Sequence, residues 1–361
     1  MPDNKEDILN LNLENLEQVF KKWGEPKYRA QQVFGWLYRK YVDNFSSMSD
    51  LPRRIISRLN TRFAIGSLKT LRILEAADKT KKFIFMLEDG HSIETVFIPE
   101  NRRRTICLSS QVGCKFGCPY CVSGSKGFVR QLTVSEIVEQ ILMVSRLHKE
   151  RITNIVMMGI GEPLDNYLNL SQALKIINHP KGLRIGSRKI TISTCGLVPG
   201  IFRLMELGLQ IELSISLHAT TDELRNRLVP VNRAYNLEKL LDACHAYYRT
   251  TGRVVTLEYV LIEGLNDSDQ DARRLGQIAR DLRAKVNLIS CNPSPYHSYR
   301  GVNLEKMEVF KRKVSLERAK VTIRETRGKE IQAACGQLAI DEMGKGIEFI
   351  KENHKRNINF G

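Results

Sequence analysis

Cys114-Lys115-Phe116-Gly117-Cys118-Pro119-Tyr120-Cys121 sets three cysteines in the spacing C-x3-C-x2-C, with Gly117 and Pro119 to fold the backbone tightly and Phe116 and Tyr120 to shield what the sulfurs hold. No fourth cysteine follows at a distance that would finish a closed metal site; only Cys107 lies close by, upstream. A [4Fe–4S] cluster normally takes four thiolates. Three ligands on one short loop, Cys114, Cys118 and Cys121, would leave one iron open to a substrate or cofactor. The competing reading is structural zinc, which wants four ligands, as paired C-x2–4-C units or with histidines. The loop has no partner pair and no nearby H-x3–5-H, so a cluster is the better chemical match.

Around the loop the hydrophobic pattern predicts an α/β fold. Downstream, Thr133-Val134-Ser135-Glu136 is a capping box opening a helix that runs to His148. Apolar strands are expected at Asn154 to Met158, Lys189 to Ser193, Gln210 to Ser216, Val254 to Val260 and Val286 to Ser290, with helices near 197–206, 236–249 and 267–280. Repeated strand–helix units imply a parallel sheet, closed or partly closed into a barrel. In such folds the chemistry sits at the carboxyl ends of the strands. There the chain carries Gly159-Ile160-Gly161-Glu162-Pro163, Ser193-Thr194-Cys195-Gly196, Ser216-Leu217-His218 and Asn292-Pro293.

Upstream, Lys82 to Met86, Ile93 to Phe97 and Thr105 to Leu108 alternate in strand fashion, with Asp89-Gly90 as a hairpin signal between the first two. Residues 1 to about 65 read as helical and are dense in Lys and Arg. The expected division is a helical accessory domain over 1–65, a β-hairpin extension over 66–106, the core over 107–340 and a basic tail over 341–361.

Composition bounds the partners. The 361 residues are 42% hydrophobic, enough for a large core, and carry 56 basic against 40 acidic side chains, a net charge of +16. Such an excess fits a polyanion, and nucleic acid fits better than a membrane because no apolar run reaches the roughly 18–20 residues a bilayer needs. The opening Met1-Pro2-Asp3-Asn4-Lys5-Glu6-Asp7 lacks the basic and apolar regions of a signal peptide, and the eight cysteines do not form a dense secreted framework. The expectation is a cytoplasmic protein.

C-x3-C-x2-C followed by Gly159 to Pro163 resembles the radical S-adenosylmethionine superfamily, whose GGEP-type segment holds the methionine amino group. A longer match, through Ile93-Glu94-Thr95-Val96, Cys107-x-Ser109-Ser110-Gln111-Val112-Gly113-Cys114, Gly161-Glu162-Pro163-Leu164, Ser216-Leu217-His218, Asn292-Pro293 and Arg327-Gly328-x-x-Ile331-x-Ala333-Ala334-Cys335-Gly336-Gln337-Leu338, is similar to the RlmN/Cfr family of RNA adenosine methyltransferases.

That resemblance implies a partial (β/α)6 radical-SAM barrel, a [4Fe–4S] cluster on Cys114, Cys118 and Cys121, and two S-adenosylmethionines per turnover. It implies a methyl carrier at Cys335, a resolving partner at Cys107 that forms a disulfide with Cys335 during release, and a proton relay through Glu94. Gly161, Glu162, Ser193, Ser216, Leu217, His218 and Asn292 become cofactor contacts. The implied substrate is adenine C2 in 23S rRNA and in tRNA beside the anticodon, with flavodoxin or ferredoxin as electron donor to a monomer. Two rivals stay open: C8 methylation of the same rRNA adenosine, as in the Cfr branch, and a non-catalytic zinc-stabilised RNA-binding protein. On pattern alone Glu94 could also be an outward-facing charge, His218 a structural histidine, and Cys195, Cys244 and Cys291 buried apolar thiols.

Overall fold

The computed structural model describes residues 5–148, 151–294 and 296–338. The expected basic tail, 341–361, and the last two residues of the expected core segment lie outside the described residues.

One ten-stranded sheet organises the chain. Its strands are β1 (Lys69–Glu75), β2 (Lys81–Met86), β3 (Ser92–Glu100), β4 (Arg103–Cys107), β5 (Asn154–Met157), β6 (Ile190–Thr194), β7 (Glu212–Ser216), β8 (Thr256–Leu261), β9 (Lys285–Ser290) and β10 (Lys320–Ile323). Each pairs with its neighbour in the chain, so the order across the sheet is the order in sequence. β1 to β4 are antiparallel, and β4 to β10 are parallel. β10 does not return to pair with β4, so the parallel part is a partly closed wrap.

The parallel strands are short apolar runs because helices cover them on one side and the interior fills the other. Val260 excepted, the side chains of β8 from Leu257 to Leu261 are almost wholly buried. The expected β4 to β9 are present, within two residues of the sequence reading at most ends. Lys189 is a difference: Ser187–Lys189 forms a single 3-10 turn, and β6 starts at Ile190. β10 adds a seventh parallel strand.

The crossover helices are α5 (Val134–His148), α6 (Tyr167–Asn178), α7 (Val198–Glu206), α8 (Asp222–Leu228), α9 (Leu237–Thr251), α10 (Asp269–Asp281) and α11 (Leu304–Leu316). They follow α1 (Leu13–Lys22), α2 (Lys27–Arg39), α3 (Arg53–Arg62) and the short α4 (Val122–Ser125). The capping box that opens α5 is made in both directions: Glu136 N donates to Thr133 Oγ1 at 3.2 Å and Thr133 N to Glu136 Oε2 at 2.9 Å.

The amino-terminal helices are packed into the same core. Ile8, Phe20, Phe34 and Tyr38 belong to one buried cluster with Ile137, Ile141 and the sheet. Polar ties reinforce this: Ser67 N and Leu68 N donate to the Glu139 carboxylate at 2.9 and 3.1 Å, and Arg146 donates to the carbonyls of Tyr41 and Val42. Among the described residues no helix is long and apolar enough to cross a membrane.

Candidate active site

The cysteine loop leaves β4 at the carboxyl edge of the sheet. Its backbone is closed by Cys114 N donating to Gly127 O at 2.8 Å and Cys121 N to Cys118 O at 3.0 Å. Gly113, at φ +76°, must be glycine, since a Cβ there would lie 1.9 Å from Gly127 O. Cys114, Cys118 and Cys121 line one cavity of about 160 Å³. Burial pushes the Cys114 thiol up to about 12, and raises Cys118 and Cys121 too, with neighbouring sulfurs adding to the effect at Cys118. All eight cysteines are free thiols.

The same cavity receives the ends of four further strands. Gly161, Glu162, Ser193, Ser216, His218 and Asn292 all line it. Gly161 sits at φ +98°, where a Cβ would press to 2.5 Å from the Gln111 side chain. The Glu162 carboxylate is held by backbone amides: Oε2 accepts from Cys195 N at 2.8 Å and Oε1 from Leu164 N at 3.1 Å. His218 takes a left-handed φ of +56°. Its Nδ1 accepts Val260 N at 3.0 Å, and burial, with Arg225 nearby, pushes its pKa down to about 3. It is a neutral imidazole that holds a strand end and faces the cavity. Leu217 is different: its side chain is fully buried and does not line the cavity.

Cys335 lines this cavity too, more than two hundred residues after the loop. Its segment is pinned on three sides. Asn292 Nδ2 donates to Cys335 O at 3.1 Å, Val122 N to Gly336 O at 2.9 Å, and Ser123 Oγ to Leu338 O at 2.8 Å. The last two bonds come from α4, which begins directly after Cys121, so the segment is tied to the cluster loop itself.

Cys107, near the end of β4, is buried in an apolar group with Val96, Val156, Ala333 and Leu338. Burial first, and then the neighbouring Cys335 sulfur, push its thiol up to about 12. Glu94 does not reach the cavity. It is 3% exposed and paired with Lys82, whose Nζ lies 2.9 Å from Oε1. Lys82 Nζ also donates to Gln332 O at 3.3 Å, in the Cys335 segment. The outward-facing alternative for Glu94 is thereby excluded.

Sequence reading missed four charged residues here. Lys82 is one. Arg225, fully buried, donates to Cys195 O at 2.7 Å, Ser216 O at 3.2 Å and Leu217 O at 3.2 Å, locking the ends of β6 and β7 together. Glu258 lines the cavity from β8; its Oε1 accepts from Asn287 at 3.0 Å, while Oε2 has no hydrogen-bond partner among the described residues. Arg324, just past β10, stands 3.9 Å from that oxygen and is held charged by Cys335 first and by Glu258 and Cys107 after it. The only signal for Glu258 was an acid inside the apolar run Thr256-Leu257-Glu258-Tyr259-Val260-Leu261.

The donor set fits an iron–sulfur cluster. It is all thiol and lines one cavity together with the strand ends. Among the described residues no three His, Cys, Asp or Glu side chains gather closely enough to hold a single ion, whereas the thiolates of a cluster each take a separate iron.

Comparison with known proteins agrees with this geometry. A model of the radical SAM superfamily matches residues 108–276, and a model of the ribosomal RNA large subunit methyltransferase N-terminal domain matches residues 6–65. A protein from Halalkalibacterium halodurans described as a probable dual-specificity RNA methyltransferase RlmN is 44% identical over 338 residues, 93% of each chain. The chain belongs to the RlmN family. A relative of the same description from Geobacillus kaustophilus is 43% identical, again over 93% of each chain. The crystal structure of a radical SAM methyltransferase from Sphaerobacter thermophilus superposes with a TM-score of 0.89 at 41% identity, covering 92% of this chain and 99% of that one. The RlmN-family fold is thus a radical SAM methyltransferase fold, with the three-cysteine loop and Cys335 on one cavity.

Proposed function

We infer that this chain methylates C2 of adenosine in 23S rRNA and in tRNA beside the anticodon, carrying the methyl group on Cys335. The carrying observation is that Cys335 shares a cavity with Cys114, Cys118 and Cys121 while lying next to Cys107. The description of the relatives as dual-specificity RNA methyltransferases supports both RNA classes.

Adenine C2 is an electron-poor amidine carbon with no nucleophilic character toward a sulfonium methyl, so the carbon must arrive by another route. When bound, the cluster and S-adenosylmethionine supply the methyl group, one electron and the hydrogen-abstracting radical. The chain supplies the carrier and its placement. Cys335 accepts the methyl as a thiolate, beside the Arg324 guanidinium, with its backbone held by Asn292 and α4. Gly161, Glu162, Ser193, Ser216, His218 and Asn292 hold the cofactor end of the cavity.

Release uses Cys107. Kept protonated by burial, it must lose its proton before its sulfur attacks that of Cys335. The adduct first gives up the proton on adenine C2 and one electron, which the cluster would take back when bound; the carbon–sulfur electron pair then leaves with the RNA-borne carbon, which takes a proton to become methyl. The Cys107–Cys335 disulfide so formed is reopened by an external thiol reductant. Glu94 reaches this chemistry only through Lys82, as a buried proton relay. The basic surface of segment 1–65 contributes RNA grip, and the protein acts in the cytoplasm as a monomer served by flavodoxin or ferredoxin.

The test is anaerobic reconstitution with iron and sulfide, then S-adenosylmethionine, reductant and tRNA or rRNA transcripts, with nucleosides read by mass spectrometry. The expected result is a brown protein, 5′-deoxyadenosine and 2-methyladenosine. Product found only as the 8-methyl isomer would transfer the chain to the Cfr reaction, and a colourless one-zinc protein would end the enzyme reading.

A further inference from the structure

Arg225 is a positive charge in the interior with no carboxylate of its own. Its side chain is wholly buried on α8, and its hydrogen bonds run to neutral acceptors. Nε donates to Leu217 O at 3.2 Å, Nη1 to Asn232 Oδ1 at 2.8 Å, and Nη2 to Cys195 O at 2.7 Å and Ser216 O at 3.2 Å. Among the described residues no Asp or Glu is ion-paired to it. Asp222, one turn earlier, has its carboxylate engaged by Asn232 Nδ2 and Leu237 N, both at 2.8 Å. Arg324 shows the ordinary arrangement, with Glu258 3.9 Å away. A guanidinium stays protonated at any working pH, and a buried charge without a counter-charge is strongly destabilising. Carbonyl dipoles satisfy the N–H groups of Arg225 but do not cancel its charge.

What it faces is the cysteine loop. α8 packs on that loop: Cys118 and Leu228 share one buried group, and Leu224, Tyr120, Cys121 and Cys195 pack against it. The two carbonyls bound by Nη2 belong to Cys195 and Ser216, residues that line the cavity with Cys114, Cys118 and Cys121. Arg225 thus stands directly behind the cavity wall. Burial pulls its pKa down, while Cys195, Tyr120 and Cys118, ahead of Asp222, pull it back up. His218, the other basic side chain at the end of β7, is neutral, so the positive field there comes from Arg225.

We propose that Arg225 is the internal counter-charge of the iron–sulfur cluster and eases its one-electron reduction from behind the cavity wall. This rests on the cluster reading of the cysteine loop and adds to it a residue that sets the cluster's electron affinity. A resting four-iron core on three thiolates carries one net negative charge, and a second after it takes an electron; the potential of such clusters follows net charge, hydrogen bonding and burial. A fixed cation close by favours the more negative state. The low dielectric that makes Arg225 costly alone also makes its field strong.

The test is a redox titration of the reconstituted full-length protein, followed by electron paramagnetic resonance, with no RNA or S-adenosylmethionine added. Arg225→Gln keeps a hydrogen-bonding side chain and drops the charge. Its equilibrium constant for reduction is expected to fall at least tenfold, a shift of about 59 mV to lower potential. Arg225→Lys keeps the charge and loses most of the strand-end bonds, and is expected within about threefold of the unaltered protein. An unchanged potential in Arg225→Gln overturns the proposal. So does an equal fall in both variants, which assigns the effect to the lost strand-end bonds. Should either variant not fold or not hold iron, the exchange Asp222→Asn with Asn232→Asp decides. It conserves net charge and side-chain size and sets a carboxylate beside Nη1, so reduction is expected to weaken at least threefold; no change overturns the proposal. Failure of the unaltered protein to take up iron and sulfide removes the cluster reading instead.

Discussion

At the scale of single residues, the two sulfurs of the proposed transfer differ in their surroundings. Cys335 faces the cavity, whereas Cys107 is sealed among Val96, Val156, Ala333 and Leu338. In the proposed transfer the methyl is therefore assigned to Cys335, and Cys107 to the step that follows. Cys107→Ala should leave Cys335 able to take the methyl and join the RNA, but unable to let go; denaturing electrophoresis should show a protein–RNA adduct that survives boiling. Clean release of methylated RNA by this variant would remove the resolving role. Lys82 gives a second test. It is the ammonium partner of a carboxylate that has almost no contact with water. Lys82→Met removes the ammonium from that pair and should cost about 3–5 kcal/mol in denaturant unfolding, and Lys82→Met with Glu94→Gln should recover most of the loss, since replacing both members of a buried pair is often near neutral. A loss below about 1 kcal/mol for the single variant would show that the pair contributes little to the fold.

At the scale of elements, α5 is fixed at its start and again in its second turn. The capping box starts it, and Glu139, in its second turn, holds the backbone of Ser67 and Leu68. Burial raises the Glu139 carboxyl to about 7 despite those two bonds. An acid whose folded pKa lies above its unfolded one binds more protons in the folded state, so its share of stability is full at low pH and is lost as pH climbs from about 4.5 to about 7. The change is about 3 kcal/mol at most. Glu139→Gln should flatten that part of the stability–pH curve, as read by urea midpoints at pH 5 and pH 8; an unaltered slope would show that Glu139 titrates normally. The capping box was legible in the sequence because its partners are three residues apart. β4 to β9 were legible because two-sided burial demands unbroken apolar runs. β1 was not, since nearly all of its residues are exposed and show no apolar face. α11 hid because its core positions, Met307, Phe310 and Val314, are thinly spread among charges. In the site, the gathering of Cys114, Cys118 and Cys121 on one cavity was legible because their spacing puts them on one short loop. Lys82, Glu258 and Arg324 were not, because their meaning comes from the strand or loop opposite, which only the fold supplies.

At the scale of the whole molecule, the question is whether the helical segment before β1 is a tethered module or part of the main body. The 6–65 match to a separate family model suggests the first; the packing argues for the second. Leu9, Leu16, Phe20, Val33, Phe34 and Tyr38 are buried in the same cluster as Ile137, Ile141 and Leu174. Across that boundary Asn12 Nδ2 donates to Gln172 at 2.7 Å, Ser135 bonds Asp7, and Arg146 bonds the chain after α2. Removing the segment would expose α5, which is buried on nearly every side from Val134 to Val144. Each large apolar side chain so exposed forfeits about 1.5–3 kcal/mol, and a few of them match the whole stability of an ordinary domain. The full chain should therefore unfold in one calorimetric transition, with equal van't Hoff and calorimetric enthalpies. A chain starting at Ser67 should bind a hydrophobic dye and lose the sharp transition. Two separated transitions in the full chain, the smaller one absent from the truncated protein with the larger unchanged, would make the helical segment an independent folding unit. RNA grip could then be assigned to it by binding the isolated segment; under a single transition, any contribution it makes to RNA binding has to be measured by surface substitution in the intact protein.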